Sequence, residues 1–184
     1  MTPEIITDLK RFNWQKIIDY GNSLADLNDA QLRFIKGLAV EQAVEAFGDG
    51  DLTYIGEKHR DYEWPKHDID VELKTIFSQS MYDVKGNVKS LPGIRLNNSM
   101  GTNKASLNPA NIADVLIAVH RDGAYAVSKD IVLAQAKHLG DGWELKPNKS
   151  DIVELSGRIL RKNKYNTNIS TAVRNAIKES LSGL

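Results

Sequence analysis

An α/β fold with a mixed central β-sheet flanked by helices is predicted by the order of periodicities along this chain. Apolar residues first recur at helical spacing, then in alternating or continuous runs that suit strands, and then at helical spacing again. No internal repeat, low-complexity tract or linker interrupts the 184 residues. A single domain over 1–184 is therefore expected, with N-terminal helices and a basic C-terminal segment.

The first helix is expected over residues 7–27, anchored by Leu9, Phe12, Ile17, Ile18 and Leu24. Asn28 or Asp29 can cap a second helix running to residue 47, where Leu32, Ile35, Leu38, Ala39, Ala43 and Phe47 repeat at helical spacing. Gly48-Asp49-Gly50-Asp51 stops it, and Glu41 and Glu45 lie one turn apart near its end. Strands are expected at 52–63 and 68–77, joined by a turn at Trp64-Pro65-Lys66-His67. A long excursion rich in Gly, Asn, Ser and Lys follows, of the kind that in compact domains is usually functional. Residues 113–120 form the best buried strand, and Arg121-Asp122-Gly123 turns the chain into a strand at 124–127. Ser128 caps a short helix through 138. Residues 143–146 suit an edge strand because Pro147 follows, and a last helix is expected over 170–181.

Composition narrows the function class. The chain is 41% apolar and 26% charged, and no apolar run approaches a membrane span. Residues 1–8 lack the basic start and apolar centre of a signal peptide, so a cytoplasmic location is the expectation. With no cysteine there is no disulfide scaffold, thiolate metal site or cysteine nucleophile. His59, His67, His120 and His138 show no zinc-ligand spacing.

The net charge of zero conceals a segregation. Residues 84–113 contain Lys85, Lys89, Arg95 and Lys104 but no acid, and 155–178 contain Arg158, Arg161, Lys162, Lys164, Arg174 and Lys178, again with no acid. The remainder is therefore acidic. Two basic segments beside an acidic centre suit a protein that grips a polyanion. The first basic segment also carries Asn97, Asn98 and Ser99, whose side chains suit base edges in a DNA groove. Arg95, Asn97, Asn98, Ser99 and Lys104 are its candidate DNA contacts, and Arg158, Arg161 and Lys162 are candidate phosphate contacts.

The acidic centre is most concentrated at 68–74. Ile69, Val71 and Leu73 alternate with Asp68, Asp70, Glu72 and Lys74, so one strand face is apolar and the other carries carboxylates ending in a lysine. Like charges stacked on one face are destabilising unless a cation binds between them. Asp61 precedes the turn, and a hairpin would bring it beside Glu72. Acid-x-lysine triplets also occur at 8–10, 83–85 and 144–146, but only Glu72 lies on an alternating strand with an acid across a turn and a glutamate-bearing helix upstream. Two acids and a lysine are the parts needed to hydrolyse a phosphodiester with Mg²⁺: the acids hold the metal, and the lysine orients the attacking water and stabilises developing charge. Asp61 and Glu72, with the Leu73 carbonyl, are the candidate metal ligands, and Asp68 and Asp70 are substitutes for Asp61. Lys74 and Glu45 complete the candidate catalytic set.

Asp61…Glu72-Leu73-Lys74, with Glu45 upstream, resembles the motif of the PD-(D/E)XK nuclease superfamily. The run from Asp61 through Val71-Glu72-Leu73-Lys74-Thr75-Ile76 is similar to the strand pair of the methyl-directed mismatch-repair nicking endonuclease, and the chain length to that of small type II restriction endonucleases. The resemblance covers about residues 38–135, and Arg60 stands where the motif's proline would be. It implies a restriction-endonuclease-like sheet and a Mg²⁺-dependent, sequence-specific endonuclease acting on double-stranded DNA. A homodimer would then serve both strands of a two-fold symmetric site. The alternatives are a nicking or structure-specific repair nuclease or resolvase, and a non-catalytic DNA-binding protein on the same scaffold.

Overall fold

The computed structural model describes residues 1–24, 32–48, 51–77, 91–103 and 106–156. Its first helix, α1 (Pro3–Leu9), starts where the Thr2 side chain accepts from the Ile5 N–H and Pro3 occupies the first turn. The single helix expected at 7–27 is instead two, because Asn13 caps α2 (Trp14–Ser23) by accepting from the Lys16 N–H. The Trp14 indole N–H donates to the Leu9 carbonyl at 2.6 Å and fixes that corner. α3 (Leu32–Phe47) ends where the second helix was expected to end.

The strand expected at 52–63 is a hairpin of β1 (Thr53–Glu57) and β2 (Arg60–Trp64). Glu57 pairs with Arg60, leaving Lys58 and His59 as the turn, with His59 at φ 75°. No turn-forming dipeptide announces it. A second hairpin joins β2 to β3 (Ile69–Ile76), with Trp64 opposite Ile69 and Tyr62 opposite Val71. Asp68, at φ 52°, belongs to the turn and not to the strand face on which the sequence placed it. Aspartate tolerates that left-handed conformation better than most residues.

β4 (Ile94–Leu96), β5 (Gly101–Asn103) and β6 (Ser106–Leu107) occupy the described part of the excursion. β7 (Val115–His120) is buried at every position and pairs in parallel with β3, and β8 (Gly123–Ser128) follows antiparallel. α4 (Lys129–Gln135) is shorter than expected, because β9 (Lys137–Leu139) begins two residues later. β10 (Gly142–Leu145) lies between β4 and β9 and is not an edge: it ends before Pro147, so the missing N–H costs it nothing. β11 (Val153–Glu154) closes the main sheet, whose order is β1-β2-β3-β7-β8-β11. The helix expected at 170–181 lies outside the described residues.

This six-stranded mixed sheet is covered on both faces. Ile5, Leu9, Trp14, Ile17, Val40 and Val44 of the N-terminal helices pack on Tyr62, Trp64, Val71, Leu73, Val115 and Ile117. On the other face Leu116, Ala118, Tyr125 and Val127 meet Val132 of α4 and Ile94, Leu96, Trp143 and Leu145 of the small sheet. Covering both faces buries Glu72 on the carboxylate side of β3, while Asp70 and Lys74 on the same side stay half-buried. Among the described residues, no helix is long and apolar enough to cross a membrane.

Candidate active site

Antiparallel pairing of β2 with β3 sets the geometry. Glu63 lies opposite Asp70 and Tyr62 opposite Val71, so the next position along the ladder sets Asp61 across from Glu72. The Asp61 carboxylate accepts the Leu73 main-chain N–H at 2.6 Å. Leu73 thus contributes its backbone between the two acids while its side chain fills the core under the helices. The Lys74 ammonium contacts Glu72 Oε1. Glu72 is 4% exposed, and its other oxygen, Oε2, is buried with no hydrogen-bond partner among the described residues.

A buried carboxylate oxygen without a partner is costly. The electrostatics agree. Burial, and then the Glu72 charge, push the Asp61 carboxyl up to about 6 from its usual 3.8. Burial also raises Glu72, against the pull of Lys74. The helix carboxylate in this field is Glu41, raised by burial and then by Asp61. Its Oε2 accepts from the Tyr54 hydroxyl at 3.2 Å, and its carbonyl accepts from the Tyr62 hydroxyl at 2.6 Å. Three carboxylates therefore face one lysine in a half-buried place.

Glu45 does not join them. It is exposed, and its Oε1 accepts the Tyr54 main-chain N–H at 3.2 Å, which ties α3 to β1. The sequence placed Glu41 and Glu45 one turn apart but gave no way to choose, because that choice depends on how α3 docks on the sheet. Of the substitutes for Asp61, Asp70 is engaged by Arg60 at 3.3 Å, and Asp68 lies in the turn.

The DNA-facing candidates divide. Arg95 is exposed on β4, 3.2 Å from Asp141. The Asn97 side chain accepts from the Ser99 N–H at 3.2 Å, and the Ser99 carbonyl accepts from the Asn111 side chain at 2.9 Å. Part of the asparagine richness thus serves local turns. Ser99 Oγ lies 3.3 Å from His59 Nε2, which brings this segment to the β1–β2 turn. The Asn98 side chain, Lys104, Arg158, Arg161 and Lys162 lie outside what is described.

Among the described residues no three His, Asp or Glu side chains stand as a ready-made metal cage. Mg²⁺ does not need one, since one or two carboxylates with several retained waters are its usual protein share. Asp61 and Glu72, with the orphaned Oε2, fit that donor set. No protein-family model matches this chain, and no curated protein matches it at a significant level.

Proposed function

We propose that this protein is a Mg²⁺-dependent endonuclease that hydrolyses phosphodiester bonds in double-stranded DNA, of the site-specific type II restriction kind. The observation that carries the reading is the unpartnered Oε2 of Glu72, 4% exposed and surrounded by Asp61, Glu41 and Lys74. The parallel β3–β7 pair within a mixed sheet supports a restriction-endonuclease-like scaffold.

Asp61 and Glu72 would hold the cation, which supplies a bound water of lowered pKa and neutralises the phosphate. Lys74, which contacts the Glu72 carboxylate, would donate to the attacking oxygen or to a non-bridging phosphate oxygen. Burial of Glu72 keeps competing water from its carboxylate and strengthens each charge interaction around it. Glu41 adds negative charge that favours a cation over none. Arg95 and the 97–99 segment would meet the duplex, and a homodimer would present two such centres to its two strands.

One observation favours a second reading, a non-catalytic DNA-binding protein: Glu72 and Lys74 satisfy each other in part through their contact. Digestion of long, sequence-diverse duplex DNA with Mg²⁺ separates the two. Discrete bands lost with EDTA and in Lys74→Ala support the site-specific enzyme. A smear or nicked circles would move the assignment to a nonspecific or nicking nuclease, and bound but uncut DNA to the non-catalytic protein.

A further inference from the structure

Asp8 opens another of the chain's acid-x-lysine triplets, yet two of the groups that meet it come from the turn between β2 and β3. It is 6% exposed on α1, and its carboxylate ties that helix to the turn. Oδ2 lies 2.7 Å from the Lys66 ammonium and 2.9 Å from His67 Nε2, and Oδ1 lies 3.3 Å from the Arg11 guanidinium. The Lys66 hydrogen bond, and then that of His67, hold Asp8 below the ordinary carboxylate range, so it is ionised at neutral pH. An ionised carboxylate only accepts, so His67 carries a proton on Nε2. The Trp64 ring stands perpendicular to the imidazole, with centroids 4.6 Å apart, and limits its rotation.

One carboxylate charge is thus shared among three nitrogen donors. Arg11 and Lys66 keep N–H groups to spare, because a guanidinium has five and an ammonium three. Their side chains are 71% and 50% exposed, and with His67 they line a cleft of about 470 Å³ between α1 and the turn. Glu4, exposed one helical turn before Asp8, also lines it. A second cleft at the same turn, about 460 Å³, has the opposite character: Glu63, Asp68, Asp70 and Asp114 line it beside Arg60. A guanidinium fork and an ammonium point charge are the groups that bind phosphate oxygens. Anchoring both on one buried carboxylate lowers the cost of ordering them around a ligand.

We propose that the cleft between α1 and the β2–β3 turn is a phosphate-binding site, in which Arg11 and Lys66 hold the phosphoryl oxygens and Asp8 orients both cations. The proposal stands on these contacts and not on the nuclease reading. Two sources of the phosphoryl group are to be told apart, a free phosphate ester and the backbone of a nucleic acid. Lys66 lies five residues after Asp61 and His67 five before Glu72, which at about 3.3 Å per residue puts the cleft roughly 15 Å along the hairpin from those acids. A backbone phosphate seated there would set the register of a strand against the candidate active site.

The test is a titration of the full chain in EDTA with sodium phosphate, followed through the His67 ring and Arg11 side-chain resonances, with chloride at matched ionic strength as control. Phosphate should shift them to saturation, and chloride should not. Arg11→Gln and Lys66→Gln, both at exposed positions, should each weaken phosphate about three- to tenfold. Glu4→Gln should tighten it about two- to threefold by removing an opposing charge. A second arm compares ribose 5-phosphate with a short DNA duplex. A duplex that moves the same resonances, and whose salt slope falls by about one in Lys66→Gln, supports the site with backbone phosphate as occupant. A shift with ribose 5-phosphate and none with the duplex supports it with a free ester. No shift beyond the chloride control would overturn the site. So would Arg11→Gln and Lys66→Gln that melt lower yet bind phosphate as the parent does, with Glu4→Gln without effect, since a cluster that only ties α1 to the turn gives that pattern.

Discussion

The chain carries the same Glu-Leu-Lys triplet on two strands, at 72–74 in β3 and at 144–146 at the end of β10. In both, the glutamate contacts the lysine two residues on, at 3.0 Å in the second triplet. Their surroundings differ. The Glu72 side chain is 5% exposed and Lys74 29%, whereas Glu144 is 20% and Lys146 66%. Glu72 stands across from Asp61 and within the field of Glu41. Glu144 stands across from Arg95, which is itself beside Asp141. One triplet is wrapped in like charge and buried, and the other is neutralised at the surface. The motif alone does not make a site, and convergence of carboxylates that burial denies to water is the distinguishing property.

The largest expected difference is in cleavage. Lys74→Ala should slow DNA hydrolysis by roughly a thousandfold, the scale of losing one well-placed charge-stabilising donor, while Lys146→Ala stays within about twofold. Comparable rates for the two variants on a common plasmid would erase the distinction between the triplets.

A smaller effect is in stability. The folded state holds the Asp61 proton up to about pH 6, and the unfolded chain releases it near 3.8. Folding therefore takes up a proton in that window. Stability contributed by this group is present at lower pH, falls as pH rises through the window, and is fully lost above it. Asp61→Asn keeps an oxygen to accept the Leu73 N–H without the charge. At pH 8 it should unfold at higher denaturant than the parent, by about 1–3 kcal/mol, with the gap closing by pH 3. Chemical denaturation at both pH values checks this, and a variant weaker than the parent at pH 8 would count against crowded carboxylates.

Much of this contrast was legible in the sequence. Strict alternation from Ile69 to Lys74 and a Pro-containing turn implied the hairpin that brings Asp61 to Glu72, and the continuous apolar run implied β7. What stayed hidden depends on tertiary placement. Glu72 is buried on the polar face of β3 while Asp70 and Lys74 are only half-buried, and no periodicity within β3 reports what packs on it. The β1–β2 turn uses Lys58-His59, which carry no turn signal, so the hairpin and the place of His59 were missed. Glu41 and Glu45 stand one helical turn apart, so the sequence does not separate them, and only the docking of α3 on β1 and β2 decides that Glu41 and not Glu45 stands beside Asp61.

That last pair gives the smallest expected effects. Glu45→Ala should cost about 0.5–1 kcal/mol of stability, through the unpaired Tyr54 N–H, with Mg²⁺ affinity unchanged. Glu41→Gln should weaken Mg²⁺ binding about three- to tenfold by removing a nearby charge without removing a ligand. Calorimetric Mg²⁺ titration of both variants checks the pair, and the reverse pattern would restore Glu45 to the site.

The most direct measurement is thermal unfolding against Mg²⁺ concentration for the parent, Glu72→Gln and Glu144→Gln. At a free Mg²⁺ of ten times its Kd, a cation bound only to the folded state adds roughly 1.4 kcal/mol, or about 3–6 °C in a chain of this size. The parent and Glu144→Gln should show that rise, and Glu72→Gln should not. Equal rises in all three, or none in any, would contradict a cation site at Glu72.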